Sequence, residues 1–105
     1  MIRAEVRRSG GEIHSLRVRG HADAGPYGHD LVCAAVSAVV QTAILGLREI
    51  DPDAGPGTIV DGDVDWRGTA GPKGQAILQA CVVGLRDIAR SHPGSLSLSE
   101  KEESA

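Results

Sequence analysis

Residues 20–40, GHADAGPYGHDLVCAAVSAVV, decide the fold because they join the end of one strand to the start of a buried helix. Residues 20–30 contain three glycines and one proline, which predicts an irregular loop. Asp30 is expected to be the N-cap of a helix that runs from Leu31 to about Ile50. This helix is apolar on nearly every side, so we expect a sheet to cover one side and a second subunit the other.

Two strands are predicted before this stretch. Residues 2–7 and 13–19 alternate between apolar and polar side chains, and the turn sequence Ser9-Gly10-Gly11 separates them. The predicted outer face carries four arginines around Glu5, which are Arg3, Arg7, Arg17 and Arg19. A solvated sheet face explains them, and contact with RNA or an acidic partner is the alternative, which charge alone does not decide.

The second half of the chain predicts another hairpin, a helix and a last strand. Residues 58–60 and 63–66 are joined by Asp61-Gly62, which is a strong signal for a two-residue hairpin turn and sets Ile59 opposite Val64. A helix is expected from Pro72 to about Ser91, and a short strand over residues 95–99.

This order, β-β-α-β-β-α-β, predicts an α+β sandwich made of a mixed sheet and two helices. We expect one domain over residues 1–99, followed by a disordered acidic tail over residues 100–105. The 105-residue chain has no Phe, and its only aromatic residues are Tyr27 and Trp66, so the core must be aliphatic. Such a core is thin, and a dimer that shares buried surface would stabilise it.

The charge and the cysteines bear on location and partners. The formal net charge is −3, without the basic field of nucleic-acid binders, so direct nucleic-acid binding is not expected. We found no apolar run approaching the ~20 residues that a membrane span needs, and no secretory segment in residues 1–5. Cys33 and Cys81 are therefore expected to be free thiols in the cytoplasm.

The candidate chemistry lies where Cys33 falls in the first turn of the predicted helix, at position N3. A helix dipole stabilises a thiolate by about 0.3–1 kcal/mol, which lowers the pKa of the thiol by roughly one pH unit. A thiol that starts near ~8.5 then remains largely protonated at neutral pH, so it needs a neighbouring base. His21 opens the same loop and is the candidate base, which makes Cys33 a candidate nucleophile for peptide cleavage.

Other interpretations of these residues stay open. Cys33 can be a packing residue of an apolar helix, and His21 a surface or capping residue. His29 is a second candidate base. A metal site is the main chemical competitor, with donors at His21, Asp23, His29, Asp30 and Cys33, but the absence of a Cys-x-x-Cys pair makes this a poor structural zinc site, and we expect no metal. Cys81 lies on the apolar stripe of the second helix and is expected to be core.

Three motifs carry a resemblance to a known family: GHAD at residues 20–23, YGHD at 27–30 and VCAAVSA at 32–38. Together they resemble the bacterial Prp family of ribosomal-processing cysteine proteases, also called YsxB-like proteins. The resemblance implies a His–Cys dyad at His21 and Cys33, a homodimer and no cofactor. It also implies a mobile glycine loop, with Gly25 and Gly28 in it, that opens to admit the substrate.

The resemblance also implies removal of an N-terminal extension from a large-subunit ribosomal protein, which supports ribosome assembly, with the cut after a small residue that follows a pair of aromatic residues. Asp30 and Ser37 match polar positions of the motif. Asp30 is expected to cap the helix and secondarily to orient His21, and Ser37 lies one turn beyond Cys33 on the same face. The alternative function is a non-catalytic binding or assembly module on the ribosome. Pro26 departs from the family pattern, which leaves the substrate sequence preference open.

Overall fold

The structure, a computed structural model, describes residues 1–20 and 28–103, and for residues 28–30 only the backbone. It confirms the predicted order of elements. They are β1 (Ile2–Ser9), β2 (Glu12–Arg19), α1 (Gly28–Ile50), a short 3-10 helix (Pro52–Ala54), β3 (Thr58–Val60), β4 (Asp63–Arg67), α2 (Pro72–Ser91) and β5 (Leu96–Glu103).

The five strands form one mixed sheet in the order β3-β4-β2-β1-β5, in which only the β1–β5 pair is parallel. Both predicted hairpins are confirmed. Gly10 and Gly11 make the first turn with positive φ angles, a conformation that glycine adopts at little cost. In the second hairpin, Ile59 pairs with Val64 as expected from the turn Asp61-Gly62.

One face of the sheet is apolar and meets both helices, since alternate side chains of a strand point to opposite faces. The core between the sheet and the helices includes Ile2, Leu16 and Leu96 on the strands and Leu85 on α2. Trp66 adds the largest buried side chain, and its indole Nε1 donates a hydrogen bond of 3.0 Å to the Ala54 carbonyl. A single tryptophan with a satisfied N–H thus supplements an otherwise aliphatic core.

Helix α1 buries a stripe at helical spacing that contains Val36, Val40, Ile44 and Leu47. By length and composition its residues 31–50 could also cross a membrane, contrary to the expectation from the sequence that no segment is long and apolar enough. The buried stripe explains this hydropathy, because a core helix needs the same apolar residues. On the opposite side Leu31 and Leu45 are exposed, at 70% and 52%.

The start of α1 differs from the prediction. The helix begins at Gly28, so Asp30 lies inside its first turn instead of at the N-cap, and Gly28 belongs to the helix and not to the loop. Acidic residues are favourable in the first turn as well as at the cap, because both are close to the positive end of the helix dipole. The sequence therefore could not separate the two positions of Asp30.

The predicted disordered tail is also wrong for residues 100–103, which belong to β5. Glu100 accepts hydrogen bonds from Arg86 of α2 at 2.8 and 2.7 Å and from Arg8 of β1 at 3.3 Å. The Glu102 carboxylate accepts one from the Gly11 amide at 2.9 Å. These distant partners explain why an acidic segment forms a strand, and the remainder of the predicted tail lies outside the described residues.

Candidate active site

A cavity of about 160 Å³ opens at one end of the sheet, between the first half of α1 and the β3–β4 hairpin. The start of β1 and the end of β2 complete its wall, through Ile2 and Val18. Half of the described lining residues are aliphatic, and Val36 and Val40 of α1 are among them. Such a cavity can take an apolar group of a ligand, and its wall also has polar side chains, such as that of Gln41, that could orient the ligand.

Cys33 and Ser37 both line this cavity, as their spacing of one helical turn predicts. Cys33 is partly exposed and also packs against the core, so it lies at the boundary between the core and the cavity. The prediction that Cys33 and Ser37 share one face is therefore confirmed.

Cys33 is not at position N3, contrary to the prediction, because α1 begins five residues before it. Only the first four amides of a helix lack an intrahelical partner, so the Cys33 amide is not free to bind an oxyanion. The dipole effect also falls off within the first turn. A thiolate at Cys33 would consequently depend on a neighbouring base more strongly than position N3 would have required.

Gly20 is part of the cavity wall, and its backbone and its surroundings both require glycine at this position. Its φ angle is +98°, and a Cβ atom built on it would lie 2.6 Å from the Met1 carbonyl oxygen. Its amide donates a hydrogen bond of 3.0 Å to the Gly62 carbonyl, which joins the end of β2 to the β3–β4 turn. The structure thus explains why the first residue of the GHAD motif is glycine.

The predicted base His21 follows Gly20 in the chain but lies outside the described residues, as do Asp23 and Gly25. The side chains of His29 and Asp30 are also outside that part of the structure. Within the described part, no group of three or more His, Cys, Asp or Glu side chains is placed to hold a metal ion. The donor set considered for zinc is therefore not tested, because Cys33 is its only member with a described side chain.

The second thiol has a different environment. Cys81 is 4% exposed in the core, and burial raises its pKa to about 12. The thiolate of Cys81 is disfavoured because the charged form loses its hydration there. The prediction that Cys81 is a core residue is confirmed.

Several residues of the cavity wall were not predicted from the sequence, and they include Ile2, Val18, Gln41 and Asp61. Each of them was assigned to its element correctly, but the meeting of the β3–β4 turn with α1 is a tertiary contact. The Asp61-Gly62 turn was the available signal, since it fixes where the hairpin ends.

Comparison with known proteins finds relatives along nearly the whole chain. The family model described as cysteine protease Prp matches residues 1–97. The ribosomal processing cysteine protease Prp of Staphylococcus aureus is 36% identical over 98 residues, which cover 87% of this chain and 90% of that protein.

Two crystal structures of the essential ribosomal processing protease Prp from S. aureus have the same fold. One is in complex with a substrate peptide, with a TM-score of 0.85 and 27% identity over 96% of this chain and 100% of that one. The other has a covalently linked product peptide, with a TM-score of 0.84 and 28% identity over the same shares. The family model covers nearly the whole chain and the S. aureus protease is 36% identical to it, so this chain, with its thiol at the wall of the cavity, belongs to the cysteine protease Prp family.

Proposed function

We propose that this chain is a processing endopeptidase that removes the N-terminal extension of a large-subunit ribosomal protein, with Cys33 as nucleophile and His21 as general base. The observation that carries the proposal is one cavity lined by both Cys33 and Gly20, the residue bonded to His21. Family membership supports the class of reaction, and the names of the relatives support the class of substrate.

In the proposed reaction the imidazole of His21 takes the proton of the Cys33 thiol, and the thiolate attacks the scissile carbonyl carbon. The imidazolium then protonates the leaving amine as the peptide bond breaks, which leaves a thioester on Cys33. Water, deprotonated by the imidazole, hydrolyses the thioester and restores the thiol. The covalently linked product peptide in the S. aureus protein supports a covalent step of this kind.

The size and lining of the cavity support an apolar substrate residue. Its volume of about 160 Å³ is similar to that of an engineered cavity of about 150 Å³ that binds benzene. One aromatic ring would therefore fit among side chains such as Val36, Val40 and Val64. This agrees with the paired aromatic residues that the family resemblance implies.

The edge of the sheet supports an extended peptide beside the cavity. Among the described strands, β3 has β4 as its only neighbour. Val60 and Asp63 flank the two-residue turn as a hydrogen-bonded pair, so the amide and carbonyl of the adjacent residue Ile59 point away from β4. A substrate strand could pair with these two groups, as in other cases of strand addition.

The test is cleavage of the extended ribosomal protein from the same genome, followed by intact-mass spectrometry. Cys33→Ala should abolish the loss of the extension, while Cys81→Ala, a matched removal of the other thiol, should retain it. Retained cleavage by Cys33→Ala would remove Cys33 from the role. A ribosomal protein that has no extension would contradict the substrate and leave the chemistry intact.

The alternative, a non-catalytic ribosome-associated module, predicts a different result for Cys33→Ser. A binding module should tolerate the exchange of sulfur for oxygen in every assay of binding and ribosome assembly. A peptidase should lose cleavage, because a serine hydroxyl is a far weaker nucleophile than a thiolate in this setting.

The dyad is tested through the thiol of Cys33. His21→Ala should slow both cleavage and the alkylation of Cys33 at neutral pH, because the base that favours the thiolate is lost. His29→Ala is the matched control for the second candidate base. If His29→Ala has the larger effect on alkylation, His29 is the partner of Cys33.

We also propose that the chain acts in the cytoplasm as a homodimer that joins through the outer face of the helices. Support comes from an apolar groove between α1 and α2, lined by residues such as Val39, Ala43 and Ile77. Leu45 of α1 and Val83 of α2 are exposed on the helices, at 52% and 53%. A helix layer of this kind gains stability when a second copy covers it.

A further inference from the structure

We propose that Asp61 selects a peptide with a positively charged group, which is either a Lys or Arg side chain or the N-terminal ammonium. The proposal rests on the proposed peptidase function and concerns its specificity. Asp61 is in the two-residue turn between β3 and β4, and this turn forms part of the wall of the cavity that contains Cys33. A cation on a peptide bound beside β3 would thus come near Asp61.

The charged residues among those described that line the cavity are both acidic, Asp61 and Asp63. Asp63 has a partner on the sheet, because Nη2 of Arg17 donates a hydrogen bond of 3.1 Å to its Oδ2. Asp61 is exposed, and it forms no ion pair or side-chain hydrogen bond with any residue in the described ranges. The wall therefore presents one uncompensated negative charge.

The backbone around Asp61 is held on both sides. Val60 pairs with Asp63 across the turn, and the Gly62 carbonyl accepts the hydrogen bond from the Gly20 amide. A carboxylate on a fixed turn loses less conformational freedom on binding than one on a free loop.

A purely structural role for Asp61 is the competing explanation. Asp-Gly and Asn-Gly are both favoured in two-residue hairpin turns. Asp61→Asn therefore keeps the turn and removes only the charge. A structural role predicts no effect of this substitution on peptide preference.

The probes are N-acetylated decapeptides that contain Phe-Phe-Ala, a common C-terminal fluorophore and either Lys or Gln at each position before the Phe pair. A further set has Gln throughout and a free N-terminus, which separates the side-chain source of the cation from the ammonium. Binding is measured by fluorescence anisotropy on the Cys33→Ala chain, so the readout does not depend on cleavage. Cleavage by the chain with Cys33 is measured in parallel.

We expect one lysine position, or the free N-terminus, to bind about two- to fivefold more tightly than its neutral counterpart, as for an exposed ion pair. Asp61→Asn should remove this preference and leave the binding of neutral peptides unchanged. Added salt should also weaken the preference, because it screens the attraction between exposed charges. Asp53→Asn, an equal change of net charge at an exposed site away from the cavity, should retain the preference. Intact-mass analysis of each variant checks that the introduced amide has not deamidated back to a carboxylate.

Equal effects of Asp61→Asn on charged and neutral peptides, or no effect on either, would overturn the role of Asp61. Loss of the preference in Asp53→Asn would overturn it as well, because the effect would then follow net charge. If peptides are cleaved without any preference for a cation, only the role of Asp61 fails. If no peptide is bound or cleaved, the proposed function fails and the role of Asp61 fails with it.

Discussion

At the scale of single residues, Gly20 connects the geometry of the cavity to the sequence. It has a positive φ angle, its amide reaches the β3–β4 turn, and the Met1 carbonyl occupies the space that a Cβ would need. Gly10 also has a positive φ angle, of +59°, but nothing lies within 4 Å of a Cβ atom built on it in the first hairpin turn. The two glycines therefore differ in crowding more than in backbone freedom.

We predict that Gly20→Ala lowers the free energy of unfolding by about 3 kcal/mol, because strain and a backbone clash add. Gly10→Ala should cost only about 1 kcal/mol, from backbone strain alone. Denaturant unfolding followed by the fluorescence of Trp66 measures both. If the free energy of unfolding falls equally in the two variants, the Met1 carbonyl moves aside without cost in Gly20→Ala.

The two cysteines are predicted to react at different rates. Cys33 lines the cavity, while Cys81 is buried and its pKa is raised to about 12 by burial. Because the thiolate is the reactive form, iodoacetamide at pH 7 should modify Cys33 in the folded chain and leave Cys81 unmodified until denaturant is added. Peptide mapping by mass spectrometry gives both rates. Equal, slow modification of both thiols would favour the non-catalytic module.

At the scale of elements, β5 depends on Glu100. A hydrogen bond from Arg86 is the main cause that lowers the pKa of this carboxyl in the folded chain. The charged form therefore stabilises the fold above the pKa of an unfolded Glu, near ~4.3, and this stabilisation is lost as the pH falls through the lower folded value. The bidentate contact of Arg86 makes this pair stronger than most surface pairs.

We predict that Glu100→Gln lowers the free energy of unfolding by about 1 kcal/mol at pH 7. The difference between this variant and the unchanged chain should shrink below about pH 4, where both lack the charge. Urea unfolding at a series of pH values measures it. Glu103→Gln, which removes exposed contacts with Arg7 at 3.5 Å and with His14 at 3.4 Å, is the control and should have a smaller effect. A difference that is independent of pH would contradict the ionic role of Glu100.

The elements also show which parts of the fold the sequence could predict. Local signals were sufficient where a turn or a helix end depends on its own residues, as with Asp61-Gly62 and with Pro72 at the start of α2. They were insufficient for β5, because Glu100 is stabilised by Arg86 and Arg8, which are 14 and 92 residues away. Composition alone cannot report such distant partners.

The candidate site also has parts that local sequence signals could predict and parts that depend on tertiary contacts. The pairing of Cys33 with Ser37 follows from helical spacing, and the motifs around them pointed to the family. The walls at Ile2, Val18 and Asp61 come from three other elements, so they required the tertiary structure. The start of α1 was placed too late because Asp30 is favourable at either of two positions.

At the scale of the whole molecule, the exposed apolar face of the helices leads to a prediction about assembly. Leu45→Glu should convert the proposed dimer to a monomer, because a buried charge without a partner opposes association. Size-exclusion chromatography with light scattering measures the change. Val60→Glu, at a residue that is 64% exposed on β3, is the control and should leave the dimer intact. A monomeric unchanged chain, or a dimeric Leu45→Glu variant, would contradict the proposed interface.

The parallel pairing of β1 with β5 has a practical consequence for handling the protein. Ile2 pairs with Leu96 at the cavity end of the sheet, and Ser9 pairs with Glu103 at the far end. An affinity tag joined ahead of Met1 would emerge beside Gly20, at the wall of the cavity that contains Cys33. A tag placed after the last strand would lie on the opposite side of the subunit, so C-terminal fusions are the suitable choice for kinetic work.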